Sequence, residues 1–154
     1  MWYKKIVNDL SLIQHAIDYY NKEFDLAIDE AKIHGNLEQN AQRLSGYMSY
    51  RYAQLQDIEA ILKYLNIQYD RLRSIEYVKY NEKYNRALTD RAIEKYVDGQ
   101  SDVVDMMIMV NDIALVRNKF LGIIKGFETK TWMISHITKL RAAGLDDINF
   151  EDFL

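Results

Sequence analysis

Cysteine and proline are absent from this 154-residue chain, and glycine occurs only six times. The lack of cysteine excludes disulfides and thiolate metal sites and fits a reducing compartment. With no proline, and glycine confined to Gly35, Gly46, Gly99, Gly122, Gly126 and Gly144, the chain is short of the residues that punctuate helices and build strand turns. The rest is rich in Leu, Ile, Lys, Glu, Asp and Arg, so the expected fold class is all-α. Long hydrophobic runs are missing too. The longest uninterrupted one, Met106 to Val110, is far short of the roughly 20 residues that cross a membrane, and "MWYKKIVNDL" has no apolar stretch of signal-peptide length. The expectation is a soluble, non-secreted, cytoplasmic chain with one domain and no membrane partner.

Excess charge of either sign is also missing, with 20 basic and 23 acidic residues. The distribution is uneven. Arg117, Lys119, Lys125, Lys130, Lys139 and Arg141 face a single acid, Glu128, over that span, whereas Asp98, Asp102, Asp105 and Asp112 have no basic neighbour between them. Phosphate responds to local potential within a Debye length of about 10 Å, so segregated charge can attract a polyanion to an acidic protein.

What is present is helical periodicity. Ile6, Leu10, Ile13, Ile17, Tyr20, Phe24, Ala27 and Ala31 alternate spacings of four and three, which predicts a helix over about 5–34 with one apolar seam. A second helix over about 37–87 keeps strict spacing at Leu55, Ile58, Leu62, Leu65, Tyr69 and Leu72. A short helix over about 90–97 is bounded by Thr89 or Asp90 and by Gly99. The last, over about 102–143, carries Met106, Met109, Ile113, Val116, Phe120, Ile123, Phe127, Ile134 and Ile137, with Lys130 interrupting. Seams of this length need a second helix to cover them, from the same chain or from another copy. The predicted architecture is an elongated bundle with coiled-coil-like seams over residues 1–144, assembling as a homo-oligomer, followed by an acidic tail at 145–154. That tail, with Ile148, Phe150, Phe153 and Leu154 among carboxylates, reads either as a frayed terminus or as a segment that docks on a basic groove.

No catalytic group is expected. His15, His34 and His136 are far apart, no metal-ligand spacing occurs, and no glycine loop suits a phosphate, so the chain reads as a non-enzyme with no cofactor and no metal. "GIIKG", Gly122 to Gly126, has the small-xxx-small spacing of closely packed helices.

The stretch "YDRLRSIEYVKYNEKYNRALTDR", residues 69–91, interleaves four tyrosines and six basic residues with four acids. One reading is the wet side of a long helix, with tyrosines at its boundary. The other is a single-strand nucleic-acid strip, in which Arg71, Arg73, Lys79, Lys83 and Arg86 track phosphates while Tyr77, Tyr80 and Tyr84 stack on bases at about 1–3 kcal/mol each. Phe120, Phe127 and Trp132 are candidate anchors of an interface between copies.

With these motifs in place, "RLRSIEYVKY", "SDVVD" and "FETKTWMISHITKLR" occur in an order that resembles the UvsY-type recombination mediator proteins of tailed bacteriophages, over roughly Asn40 to Arg141. The resemblance implies a homo-oligomeric ring that binds single-stranded DNA, helps remove the single-strand-binding protein and loads a RecA-like recombinase in the host cytoplasm. It carries a DNA-contact role onto Arg71 and Arg73, and onto Lys79 and Lys83. The chain departs from that family in its longer first helix and in the helical character of "NEKYNRALTDR", where the family tends to a glycine-containing loop. The alternative is a non-enzymatic helical scaffold or assembly chaperone that binds protein partners.

Overall fold

A computed structural model describes residues 1–84 and 88–145, the side chain of Tyr84 excepted. The described residues are helical and contain no strand: α1 (Trp2–Asn8), a 3-10 turn (Leu10–Leu12), α2 (Ile13–Ala31), α3 (Leu37–Tyr84), α4 (Asp90–Asp98) and α5 (Ser101–Ala142). The acidic tail beyond Leu145 lies outside them.

The helix expected over 5–34 is instead two helices with a turn between them. Asp9 is extended (φ −149°, ψ 102°), and its carboxylate accepts from Ser11 N at 3.0 Å and Ser11 Oγ at 2.7 Å. A short acidic side chain offering the backbone a local acceptor competes with the helix, and here it wins. The turn does not break the seam, because Ile6, Ile13, Ala16, Tyr20 and Ala27 are all buried. After α2, Gly35 takes the left-handed conformation (φ 65°) that turns the chain into α3.

Helices α3 and α5 run antiparallel. Leu44 shares a cluster with Phe127, Glu59 meets Arg117, and Tyr69 and Leu72 pack with Val103. At about 1.5 Å per residue α3 is roughly 72 Å long, against about 28 Å for α2. Helix α2 therefore covers only part of the hairpin. There Leu55, Ile58, Ile61 and Leu65 of α3, Ile113, Val116 and Phe120 of α5, and Tyr20 of α2 close one core. Beyond it, α4 covers the remaining end.

Buried charges fix the register between these helices. Arg51 of α3 is 1% exposed. Its Nε and Nη2 fork onto the two carboxylate oxygens of Glu30 at 2.8 and 2.7 Å, and its Nη1 reaches Glu23 Oε2 at 2.5 Å and Gln54 Oε1 at 2.8 Å. Gln54 Nε2 donates to the same Glu23 oxygen at 2.8 Å. Asp57, also buried, accepts from Trp2 N at 2.7 Å and Tyr3 N at 3.3 Å, capping α1 from another helix, and from Tyr20 Oη at 2.6 Å. Burial pushes the Tyr20 hydroxyl up, and its hydrogen bond to Asp57 pushes the same way. Among the described residues no buried side-chain polar atom lacks a hydrogen-bond partner.

Lys130, which interrupts the α5 seam, is 4% exposed. Its Nζ donates to Glu30 O at 2.8 Å and Lys32 O at 2.7 Å, closing the C-terminal end of α2. Burial lowers its pKa against the upward pull of Glu30 and Asp29. Lys130→Met keeps the stem and removes the donor. The two carbonyls lose their bonds, and the expected loss is about 1–3 kcal/mol, read as a lower urea midpoint at unchanged m.

Candidate nucleic-acid interface

The tyrosine and basic stretch forms the last turns of α3, and α4 lies against it. Thr89 caps α4, accepting from Ala92 N at 3.4 Å. Ile93 and Val97 of α4 then bury with Val103 against Tyr69, Leu72, Tyr77, Tyr80 and Leu88. Five residues of this stretch share one face at 3.6 residues per turn: Tyr69, Arg73, Glu76, Tyr77 and Tyr80. That face is turned toward α4.

Tyr77, Tyr80 and Arg73 bond to α4 or the turn after it, while Glu76 pairs with Lys79 of α3 itself. Tyr77 Oη donates to Asp90 Oδ1 at 3.0 Å, and that bond, with a smaller push from desolvation, raises the Tyr77 pKa. Tyr80 stacks on Tyr96 with ring centroids 5.8 Å apart and an interplanar angle of 14°, and its hydroxyl accepts from Gln100 Nε2. Arg73 Nε meets Asp98 Oδ1 at 2.8 Å, with its guanidinium 5.7 Å from the centre of the Tyr69 ring. Tyr77 and Tyr80 are half-buried.

Of the cations expected to share a surface with the rings, Arg73 lies on the ring face and is bound to Asp98, whereas Lys83, Lys79 and Arg71 are turned from Tyr80 by about 60°, 100° and 180° around the helix. Arg71 is exposed and stands nine residues from Tyr80, about 180° around the helix. Lys79 and Lys83 are exposed and lie between those two directions. Lys79 pairs with Glu76, and a shallow groove of about 240 Å³ runs between Glu76, Lys79, Tyr80 and Lys83. The side chain of Tyr84, and Arg86 entirely, lie outside the described residues.

The anchors expected between copies divide as well. Phe120 and Phe127 are 0% exposed, enclosed by the chain's own helices, with Phe120 ringed by Tyr20 at 5.7 Å and Phe24 at 6.4 Å. A folded chain has no surface of either to offer a second copy. Trp132 is 70% exposed.

Asp90, Tyr96, Asp98 and Gln100 are the partners that the sequence reading left out. The signal was available in the carboxylates and aromatic of "TDRAIEKYVDGQ", which follow directly on a basic and tyrosine-rich helix. Among the described residues, no group of three or more His, Asp or Glu side chains is placed to hold a metal ion, and no helix is long and apolar enough to cross a membrane. Compared with family models, characterised proteins and solved structures, the chain matches none.

Proposed function

We propose that the chain is a non-enzymatic single-stranded-DNA-binding protein of the recombination-mediator kind, which helps a RecA-like recombinase onto DNA held by single-strand-binding protein. The observation that carries this reading is the flank of α3 not covered by α4, where Arg71, Lys79 and Lys83 stand exposed. The order of motifs over Asn40 to Arg141 supports it. Because the rings of Tyr77 and Tyr80 are engaged with α4, contact is dominated by phosphate, with little choice among bases.

Polarisation of a labelled oligonucleotide across a salt series tests this. Single-strand binding loses about 0.7 in the slope of log K against log salt per phosphate contact, so changing Arg71, Lys79 and Lys83 together to alanine should flatten the slope by about 2. Arg73→Ala should leave the slope alone while loosening α4, since Arg73 is bound to Asp98. No binding at low salt, or a slope indifferent to the triple change, refutes the proposal. A protein-binding scaffold is the second reading, favoured by apolar side chains on the outer face of α5, and it predicts assembly without any response to oligonucleotide.

A further inference from the structure

Helix α5 has two apolar faces. One holds Ile113, Val116, Phe120, Ile123 and Phe127 and is buried. About 125° around the helix from it, Val104, Ile108, Leu115, Gly122, Met133 and Leu140 fall within about 40° of one another at 3.6 residues per turn, bordered on one side by Asn111, Asn118, Thr129 and His136. The five side chains of this outer stripe are between 38% and 58% exposed. It runs about 54 Å along the helix. Scattered surface leucines need no explanation, whereas an aligned row of this length does.

The two ends of the stripe are symmetric about its glycine, whereas the positions that mirror Ile108, Leu115 and Met133 are His136, Thr129 and Asn111. Gly122 stands midway, eighteen positions from Val104 and eighteen from Leu140. The two glycines of "GIIKG" also have different settings. A Cβ on Gly126 would touch Ala31 of α2 at 3.7 Å, whereas a Cβ on Gly122 would meet nothing within 4 Å. Packing within the chain gives no reason for a glycine at 122, yet in an exposed helix interior glycine costs about 1 kcal/mol relative to alanine.

Charge selects the direction of pairing. The acidic residues lie toward the start of α5 and the basic ones toward its end, so parallel copies would set like against like. An antiparallel pair crossing at Gly122 brings Asp105 of one copy onto the same flank as Arg141 of the other, offset by about 3 Å along the axis. Lys119 and Lys125, the cations nearest the crossing, fall on opposite flanks, each about 9 Å along the axis from its own mate, and Lys119 is held by Asn21 of α2 at 2.9 Å.

We infer that two copies of this chain pair antiparallel through the outer face of α5, about a two-fold axis at Gly122. The missing side chain there lets the backbones approach, and toward each end Val104 of one copy stands level with Leu140 of the other, with Ile108 falling between Met133 and Leu140 of the other. The pairing stands apart from the nucleic-acid proposal and needs no DNA.

The chain's lack of cysteine makes the test direct. Gly122→Cys should give a covalent dimer on mild oxidation or with a short bis-maleimide. Asn111→Cys, on the same outer face, should not, because its two copies would stand about 33 Å apart. By light scattering in the absence of DNA, the unaltered chain should be dimeric at high micromolar concentration. Gly122→Lys should be monomeric with unchanged helicity by circular dichroism. Asp105→Arg should weaken the dimer at least tenfold, and adding Arg141→Asp should restore it. A monomeric unaltered chain, cross-linking at 111, or an oligomer indifferent to Gly122→Lys would each overturn the inference. Failure of the salt titration would leave it standing, and the reverse also holds.

Discussion

Replacing Arg51 with alanine is expected to cost about 3–5 kcal/mol of folding stability at neutral pH, which for a chain of this size lowers the melting temperature by about 10 °C. Arg51 binds the Oε atoms of both Glu23 and Glu30, and its four side-chain hydrogen bonds are at 2.8 Å or less. Truncation leaves two carboxylates facing each other in a partly water-excluded site, so the loss is mainly that of unpaired charge. Changing Arg51 to methionine together with Glu23→Leu, Glu30→Leu and Gln54→Leu should recover most of it, because apolar replacement of a whole buried network is often neutral. Acid provides an independent readout. Burial pushes the Glu23 carboxyl up, but hydrogen bonds from Gln54 and Arg51 outweigh this and hold its pKa below the ordinary 4.5. A depressed carboxylate stabilises the fold above its unfolded value, and that contribution is lost as pH falls through the lower folded value. Denaturant titrations from neutral pH down past 4.5 should show this decline in the unaltered chain and a shallower one in Arg51→Ala. A loss under about 1 kcal/mol at neutral pH would mean that water screens the site more than its geometry implies.

Phe120→Ala is the other large effect, at about 3–5 kcal/mol. The ring is fully enclosed, edge-on to Tyr20 at an interplanar angle of 84°, and the neighbouring helices cannot collapse far into the space it leaves. Because the lost contacts lie within one chain, Gly122→Lys should not protect against the loss, and the stability difference should persist in a background that does not assemble. Intact monomer stability with impaired self-association would return Phe120 to the contact between copies where its sequence position first suggested it.

The seams were legible because helical period is a local property. Ile6, Tyr20, Leu55, Ile58, Ile113 and Phe120 all occupy the core, as their spacing requires. What covers a seam is not local, so Phe120 and Phe127 looked equally suited to a second copy or to the same chain. Arg51 and Lys130 show how much more could have been read. Arg51 continues the four-three spacing between Leu44 and Met48 on one side and Leu55 and Ile58 on the other, and Lys130 sits in the same way between Phe127 and Ile134. A cation in phase with a seam, with no gap in the pattern around it, is a buried pairing site more readily than an interruption. Asp57 gave no such signal, because its partners are the backbone amides of a helix 55 positions away. The tyrosine strip was less legible for a related reason. Its composition was plain and the half-turn separating Arg71 from Tyr80 follows from their spacing, but the arrival of α4 on one side only depends on geometry across the chain.

The lysine that closes α2 also sets a clock on synthesis. Glu30 must wait for a residue 100 positions later in the chain, and a ribosome adding about 5–20 residues per second takes about 5–20 s to supply it. Throughout that interval the carbonyls of Glu30 and Lys32 at the end of the nascent α2 lack this donor. Translation speed over the second half of the message therefore governs how long this segment is open to holdase chaperones and to mispairing with its neighbours on a polysome.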